Sequence, residues 1–225
     1  MLVTKDVSFK WPLQNLRKWL VAQVQKRPIS VRLNCAPTAE ELAAAHYDVV
    51  IAAIGAQPKR PPIPGADNAN VMTAIDAYGH VDRLGERIVI IGGGEIGVET
   101  GIWLSRLGKQ VTVLEMRDKL AADSTPVHYW KMLRDEWNAC GNFYGIVSAA
   151  VTAITDDGVT YTDKDGTACL AEADTVLLAA GMQPLTAQAA AYYESGGDFY
   201  MIGDCQKVGS IQTVMRSAFI NASQF

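Results

Sequence analysis

The stretch Arg87-Ile-Val-Ile-Ile-Gly-Gly-Gly-Glu-Ile-Gly-Val-Glu-Thr-Gly101, read with Val113-Leu114-Glu115 beyond it, decides the fold. An apolar strand, Ile88–Ile91, runs into Gly92-x-Gly94-x-x-Gly97; a helix follows, and a second strand closes on an acid. That order of parts holds the pyrophosphate and one ribose of a dinucleotide. Gly92 permits the tight turn out of the strand. Gly94 has no Cβ, so a phosphate can approach the backbone, and Gly97 lets the helix lie close on the sheet. The helix N-terminus, from Gly93 through Glu95 and Ile96, offers unpaired N–H groups and a partial positive charge.

Glu115 stands 21 residues after Gly94, where a ribose-binding acid belongs. A carboxylate there accepts from a 2′-hydroxyl and repels a 2′-phosphate, so NAD(H) is expected over NADP(H). Met116 and Arg117 follow the acid, and Arg117 is a cation that would soften that choice. Gly101 lies one helical turn after Gly97 on the same face, a second sign of a helix pressed onto a sheet. Gly108 is the expected C-cap.

Composition narrows the classes. The chain has 225 residues, a formal net charge of −4 and 49% hydrophobic residues, as in globular proteins of one large or two small domains. No basic run or stripe points to nucleic acid. No apolar stretch reaches membrane-spanning length and no signal peptide is visible, so a cytoplasmic protein without a membrane partner is expected. Cys35, Cys140, Cys169 and Cys205 form no C-x-x-C pair, so reduced structural thiols are expected rather than a dithiol or metal centre.

Leu13, Leu16, Leu20 and Val24 recur at helical spacing and predict a helix over Trp11–Gln25 with a core-facing stripe. Ile29–Leu33 reads as a short strand, Thr38-Ala-Glu-Glu41 as a capping box, and Asp48–Ala53 as a strand buried on both faces. The proline-rich segment Gly55–Gly65 excludes a helix and suits an extended crossing between domains. A helix is expected over Pro126–Ala139, with Trp130, Leu133 and Trp137 on one side. Thr152–Thr155, Val159–Thr162 and Ala168–Ala171, separated by Asp-Gly turns, predict a small antiparallel meander. Asp174–Ala180 reads as a buried strand, Phe199–Ile202 as another, and Ser210–Ala222 as a final helix.

One internal repeat stands out. Asp48-Val-Val-Ile-Ala-Ala-Ile-Gly55-Ala-Gln57-Pro58 aligns without gaps to Asp174-Thr-Val-Leu-Leu-Ala-Ala-Gly181-Met-Gln183-Pro184. Two strand–glycine units therefore accompany a single glycine fingerprint, which suggests duplication.

Together these residues resemble the flavoproteins with two dinucleotide-binding domains. The likeness is greatest to the C-terminal part of the NADH:flavin oxidoreductase / 2,4-dienoyl-CoA reductase family, which includes enoate reductases and trimethylamine dehydrogenase. The resemblance implies an α/β fold: a Rossmann-like NAD-binding domain with a parallel sheet and a small antiparallel meander, inserted in a partial FAD-type domain. It implies residues 1–79 and 181–225 as segments of the FAD-type domain and 80–180 as the insert. Ala180-Gly181 resembles the strand-end motif near NAD. Ala53-Ile54-Gly55 and Tyr200-Met-Ile-Gly203-Asp204-Cys resemble the motifs near FAD. The first glycine fingerprint of that family, for the FAD pyrophosphate, is absent and is expected upstream of Met1. So are a flavin barrel carrying FMN and an iron–sulfur cluster, which the resemblance implies only for missing parts.

The resulting expectation is a pyridine-nucleotide-binding fragment of a flavin-dependent oxidoreductase, passing hydride from NADH to flavin and inactive by itself. The alternative is a structural or interaction domain that holds an ADP-type nucleotide without turnover. No catalytic acid–base residue is assigned. Glu95 and Glu99 suit both the helix dipole and a place beside the nicotinamide, as an acid occupies in related flavoproteins. His46, His80 and His128 are scattered, and no Tyr-x-x-x-Lys pair suggests a complete small dehydrogenase.

Overall fold

The computed structural model describes residues 7–124, 127–195 and 197–224. Helices α1 (Trp11–Gln25) and α2 (Ala39–Ala44) lead to strands β1 (Val49–Ala52), β2 (Ala56–Pro58) and β3 (Val71–Thr73). A one-turn helix α3 (Ala74–Ala77) precedes the alternating run β4 (Arg87–Ile91), α4 (Glu95–Arg106), β5 (Gln110–Leu114), α5 (Val127–Asn138) and β6 (Phe143–Ile146). Strands β7 (Ala150–Thr155), β8 (Gly158–Thr162), β9 (Ala168–Glu172), β10 (Thr175–Leu178) and β11 (Met182–Pro184) follow, then α6 (Thr186–Ala190), β12 (Asp198–Met201) and α7 (Ile211–Ala222). The chain divides into two compact units: one holds the chain up to Arg27 and Pro58–Gly181, the other Pro28–Gln57 and the chain from Met182 onward.

In the first unit a five-stranded sheet runs in the order β3-β10-β4-β5-β6, every pair parallel. The apolar run of β4 explains its central place. Ile88 and Ile90 enter one core with Val98, Ile102 and Leu133 of the helices. Val89 and Ile91, pointing the other way at period two, enter a second core with Ile154, Val159 and Tyr161 of the meander. A strand covered on both faces has no polar side to show. The meander β7-β8-β9 is antiparallel throughout, as its Asp-Gly turns predict.

Helix α4 lies as close to the sheet as its glycines allow. A Cβ on Gly101 would stand 2.6 Å from the Phe143 ring. The helix ends in paired bonds, Gly108 N to Ser105 O at 3.0 Å and Lys109 N to Leu104 O at 3.1 Å, the arrangement a glycine past the C-cap completes. On α5, Leu133 is fully buried and Trp130 and Trp137 pack beside it, edge to face with ring centroids 6.2 Å apart. The expected first residue of that helix, Pro126, lies outside the described residues.

Helix α1 forms over the predicted residues, but its stripe is not a core stripe: none of its residues is buried, and Trp11, Trp19, Val21 and Val24 are all exposed. The one-turn 3-10 helix before it, Ser8–Lys10, does reach the core, through Val7 and Phe9.

In the second unit, β1 pairs in parallel with β12, Ala52 opposite Met201. The expectation that β1 is buried on both faces fails: among the described residues this sheet has two strands, and Ile51 is exposed. Ile29–Leu33 is not a strand; its three apolar residues Ile29, Val31 and Leu33 are exposed. Three β-branched or aliphatic residues without a pairing edge do not make a strand, because β propensity records packing against neighbours. The capping box is present: Thr38 Oγ1 accepts from Glu41 N at 3.2 Å, and Glu41 Oε2 accepts from Thr38 N at 2.8 Å.

Both copies of the repeat take the same course. Each strand, β1 or β10, ends at a glycine of positive φ, +80° at Gly55 and +96° at Gly181. A three-residue strand follows each glycine, and these two strands, β2 and β11, pair with each other. All four cysteines are free thiols. Among the described residues no helix is long and apolar enough to cross a membrane.

Candidate functional site

From β4 the chain passes through α4 to β5 and through α5 to β6 on one side, while β10 lies on the other side. The change of direction puts a crevice at the carboxyl end of β4, where open parallel sheets bind ligands. Gly92, with φ +107°, turns the chain there, in a conformation that disfavours a side chain. Its neighbour across the crevice is the end of β10: Ala179 N donates to Ile91 O at 2.8 Å, and a Cβ on Gly92 would lie 2.5 Å from Ala179 O. Gly92 and Gly97 thus lie against Ala179 and Ala180 at the end of β10.

The three glycines of the fingerprint have different causes. A Cβ on Gly97 would stand 1.9 Å from Gly92 O, so the helix could not seat against the turn. Gly94 is the opposite case. Its φ of −69° and ψ of −176° are open to any residue, and a Cβ there would meet no atom within 4 Å. Neither the backbone nor the packing of this chain calls for glycine at Gly94. The open space suits a group arriving from outside, and the N–H groups at the start of α4 give that group a partial positive charge to meet. The residues present therefore fit a pyrophosphate.

Glu115 leaves the end of β5 and is only 5% exposed. Its Oε2 accepts from Gly93 N at 2.7 Å. Its Oε1 accepts from Arg117 N at 2.9 Å and from Arg117 Nε at 3.2 Å. A carboxylate offers about four acceptor positions, so one on Oε2 stays open to a hydroxyl. Arg117 also donates from Nη1 to Asp123 Oδ2 at 2.6 Å. Asp123 first, and Glu115 after it, bind the Arg117 proton more firmly than usual.

The segment after Glu115 folds back over the glycine turn. Ala121 N donates to Gly93 O at 2.7 Å, and Trp130 Nε1 donates to Leu120 O at 2.9 Å. Met116 is exposed and makes no such contact. Asp123, Leu120 and Ala121 are absent from the sequence reading because a loop carries no periodic signal. Only the distance from the fingerprint to the next helix hinted at them.

Glu95 is exposed at the start of α4, as a dipole-facing acid would be. Glu99 is not: it is 5% exposed, and both its oxygens accept bonds, from Lys10 Nζ and from Tyr129 Oη. Burial first, and the Glu99 charge after it, push the Tyr129 hydroxyl well above its ordinary pKa. Lys10 lies 89 positions away in sequence, so no local pattern could have paired it with Glu99.

In the second unit, Ile202 N donates to Ala52 O at 3.0 Å. The chain beyond β1 (Ala53-Ile54-Gly55) and the chain beyond β12 (Gly203-Asp204) therefore leave neighbouring parallel strand ends together. Asp204 Oδ1 accepts from Gly209 N at 3.1 Å. Ser210 caps α7, accepting from Thr213 N at 3.3 Å.

A parallel sheet of this order, with a glycine turn at the change of direction and a buried acid ending the next strand, defines a Rossmann-like dinucleotide-binding protein. The chain belongs to the pyridine nucleotide-disulphide oxidoreductase family, whose profile matches residues 17–218. An NADH oxidase of Thermoanaerobacter brockii is 34% identical over 94% of this chain and 32% of its own length. A bilirubin reductase of Mediterraneibacter gnavus is 29% identical over 92% of this chain and 32% of its own. A 2-naphthoyl-CoA reductase structure superposes with a TM-score of 0.91 at 29% identity, over 96% of this chain and 33% of that one. The chain thus spans about a third of the length of the relatives it matches. Membership in the family implies NAD(H) and, in the intact protein, FAD as cofactors.

Proposed function

We propose that this chain is the pyridine-nucleotide-binding part of a larger flavin-dependent oxidoreductase of the NADH:flavin oxidoreductase / 2,4-dienoyl-CoA reductase type. The observation that carries the reading is Gly94, a glycine with no internal reason to be one, beside a buried acid at the next strand end. When bound there, a nicotinamide supplies a hydride that FAD accepts. Gly94, Glu95 and Ile96 offer backbone N–H groups to the pyrophosphate, and Gly92, Gly93 and Gly97 form the turn that lets it approach, the Gly92 and Gly93 N–H groups being given to Leu114 and Glu115. Glu115 accepts from the adenine ribose, flanked by Met116 and Arg117, and favours NADH over NADPH. Ala180 and Gly181 border the nicotinamide half.

In this reading the nucleotide-binding insert, expected over residues 80–180, takes in the whole first unit around the five-stranded sheet, β3 included, and the second unit supplies the segments of an FAD-type domain. Ala53, Ile54, Gly55, Gly203 and Asp204 would border FAD in that domain. The flavin barrel, with FMN and an iron–sulfur cluster, belongs to the part of such an enzyme outside this chain, and the chain alone is inactive. Relatives named NADH oxidase, bilirubin reductase and cinnamate reductase, each roughly three times as long, support this reading.

The test is a fluorescence titration of the purified chain with NADH, and of Glu115→Ala with NADH and NADPH. The reading expects saturable NADH binding, and a variant that loses more affinity for NADH than for NADPH. A folded chain that leaves NADH emission unchanged at every concentration overturns it.

A further inference from the structure

Resting on that reading, we infer that Asp123 is a specificity-determining residue: it holds the Arg117 guanidinium against Glu115 and withholds it from a 2′-phosphate. A guanidinium beside the acid that ends the second strand is the group that would accommodate NADP. In this chain two of its three nitrogens are already engaged by carboxylates. Nε donates to Glu115 Oε1 at 3.2 Å, and Nη1 donates to Asp123 Oδ2 at 2.6 Å. The three side chains together carry one net negative charge, whereas a phosphate monoester brings about −1.5 to −2 more at neutral pH. Released from Asp123, the same guanidinium has the planar fork that pairs with phosphate.

The two carboxylates differ in what their removal would do. The Glu115 side chain is 6% exposed and bonded to the fingerprint itself through Gly93 N. The Asp123 side chain is 84% exposed and Arg117 38%, so their pair is held by charge and not by packing. Yet Asp123 stays within reach, because the loop carrying it is tied down at Ala121 N–Gly93 O and Trp130 Nε1–Leu120 O. Lys119, the other cation of the loop, is engaged elsewhere, with Nζ 4.0 Å above the Trp130 ring centroid. Glu115 therefore builds the ribose end of the site, and Asp123 decides whether Arg117 is available to it.

The experiment is calorimetric titration of the whole chain with NADH and with NADPH, in wild type, Asp123→Asn, Arg117→Ala and the double variant. Asp123→Asn is expected to lower the preference for NADH about three- to fivefold, the scale of an exposed ion pair, mainly through tighter NADPH binding. In the Arg117→Ala background the same substitution is expected to move the preference by less than half as much. An unmoved preference in Asp123→Asn, or equal shifts in both backgrounds, overturns the role of Asp123 and leaves the dinucleotide reading intact. A wild-type chain that binds neither cofactor overturns both.

Discussion

The Glu115 carboxylate accepts the backbone N–H of Gly93 at 2.7 Å, so the acid that ends the second strand also braces the glycine turn that ends the first. Binding and folding are linked at that bond. Replacing Glu115 by alanine leaves a buried N–H without its partner and removes two bonds from Arg117. The expected cost is about 1–3 kcal/mol, read as a lower urea midpoint with the slope unchanged.

Gly94 and Gly97 separate the two demands. Gly97→Ala forces a Cβ to within 1.9 Å of Gly92 O, and overpacking of that kind costs about 1–3 kcal/mol. Gly94→Val meets no atom within 4 Å and should cost no more than about 1 kcal/mol, the scale of exchanging a favoured helix N-cap residue. Thermal unfolding of the two variants side by side checks the contrast.

Acid should weaken the first unit through Asp174. Its carboxylate accepts from Arg87 Nη2 at 2.7 Å, and from the backbone N–H groups of Arg87 and Glu86 at 2.8 and 3.1 Å. Hydrogen bonds from the Arg87 side chain, then from its backbone, hold Asp174 below its ordinary value of 3.8. A depressed folded value stabilises the fold at pH above the unfolded value. That contribution is lost as pH falls from about 3.8 through the lower folded value. The urea midpoint of wild type should exceed that of Asp174→Asn at pH 7 and approach it near pH 3.

The buried Glu99 depends on partners from two other elements. Lys10→Ala removes its cation and leaves the charge with the Tyr129 hydroxyl alone. Stripping one partner from a buried charge is strongly destabilising, and a partly exposed lysine should cost about 2 kcal/mol. Tyr129 itself should resist ionisation in a spectrophotometric titration through pH 11, where an exposed tyrosine, with a pKa of about 10, is mostly ionised. Because its folded value is raised, the contribution it makes is present below pH 10 and lost as the solution becomes more alkaline.

The sequence made the first unit legible wherever a period or a turn residue recorded it. Strand β4, helix α4, strand β5 and the meander follow from apolar runs, glycines and Asp-Gly turns, because each buries a face that the pattern marks. Strand β3 was not legible: three residues between a turn and a one-turn helix are too short to show alternation. Helix α1 of the first unit and β1 of the second misled, since an apolar run announces burial but not what will cover it. Within the candidate site, Gly94 and Glu115 were legible because the dinucleotide-binding fingerprint fixes their spacing. Asp123 was not, because a loop carries no periodic signal, and Lys10 was not, because it meets Glu99 across 89 positions of sequence.

The central claim rests on the open space beside Gly94. Calorimetric titration of the wild-type chain and of Gly94→Val with NADH tests it most directly. The account predicts one saturable NADH site per wild-type chain, and at least about a hundredfold weaker binding by a Gly94→Val chain that is still fully folded at the titration temperature, since a side chain in the cradle excludes the pyrophosphate. Equal affinity in the two folded proteins, or no binding by the wild type, would contradict it.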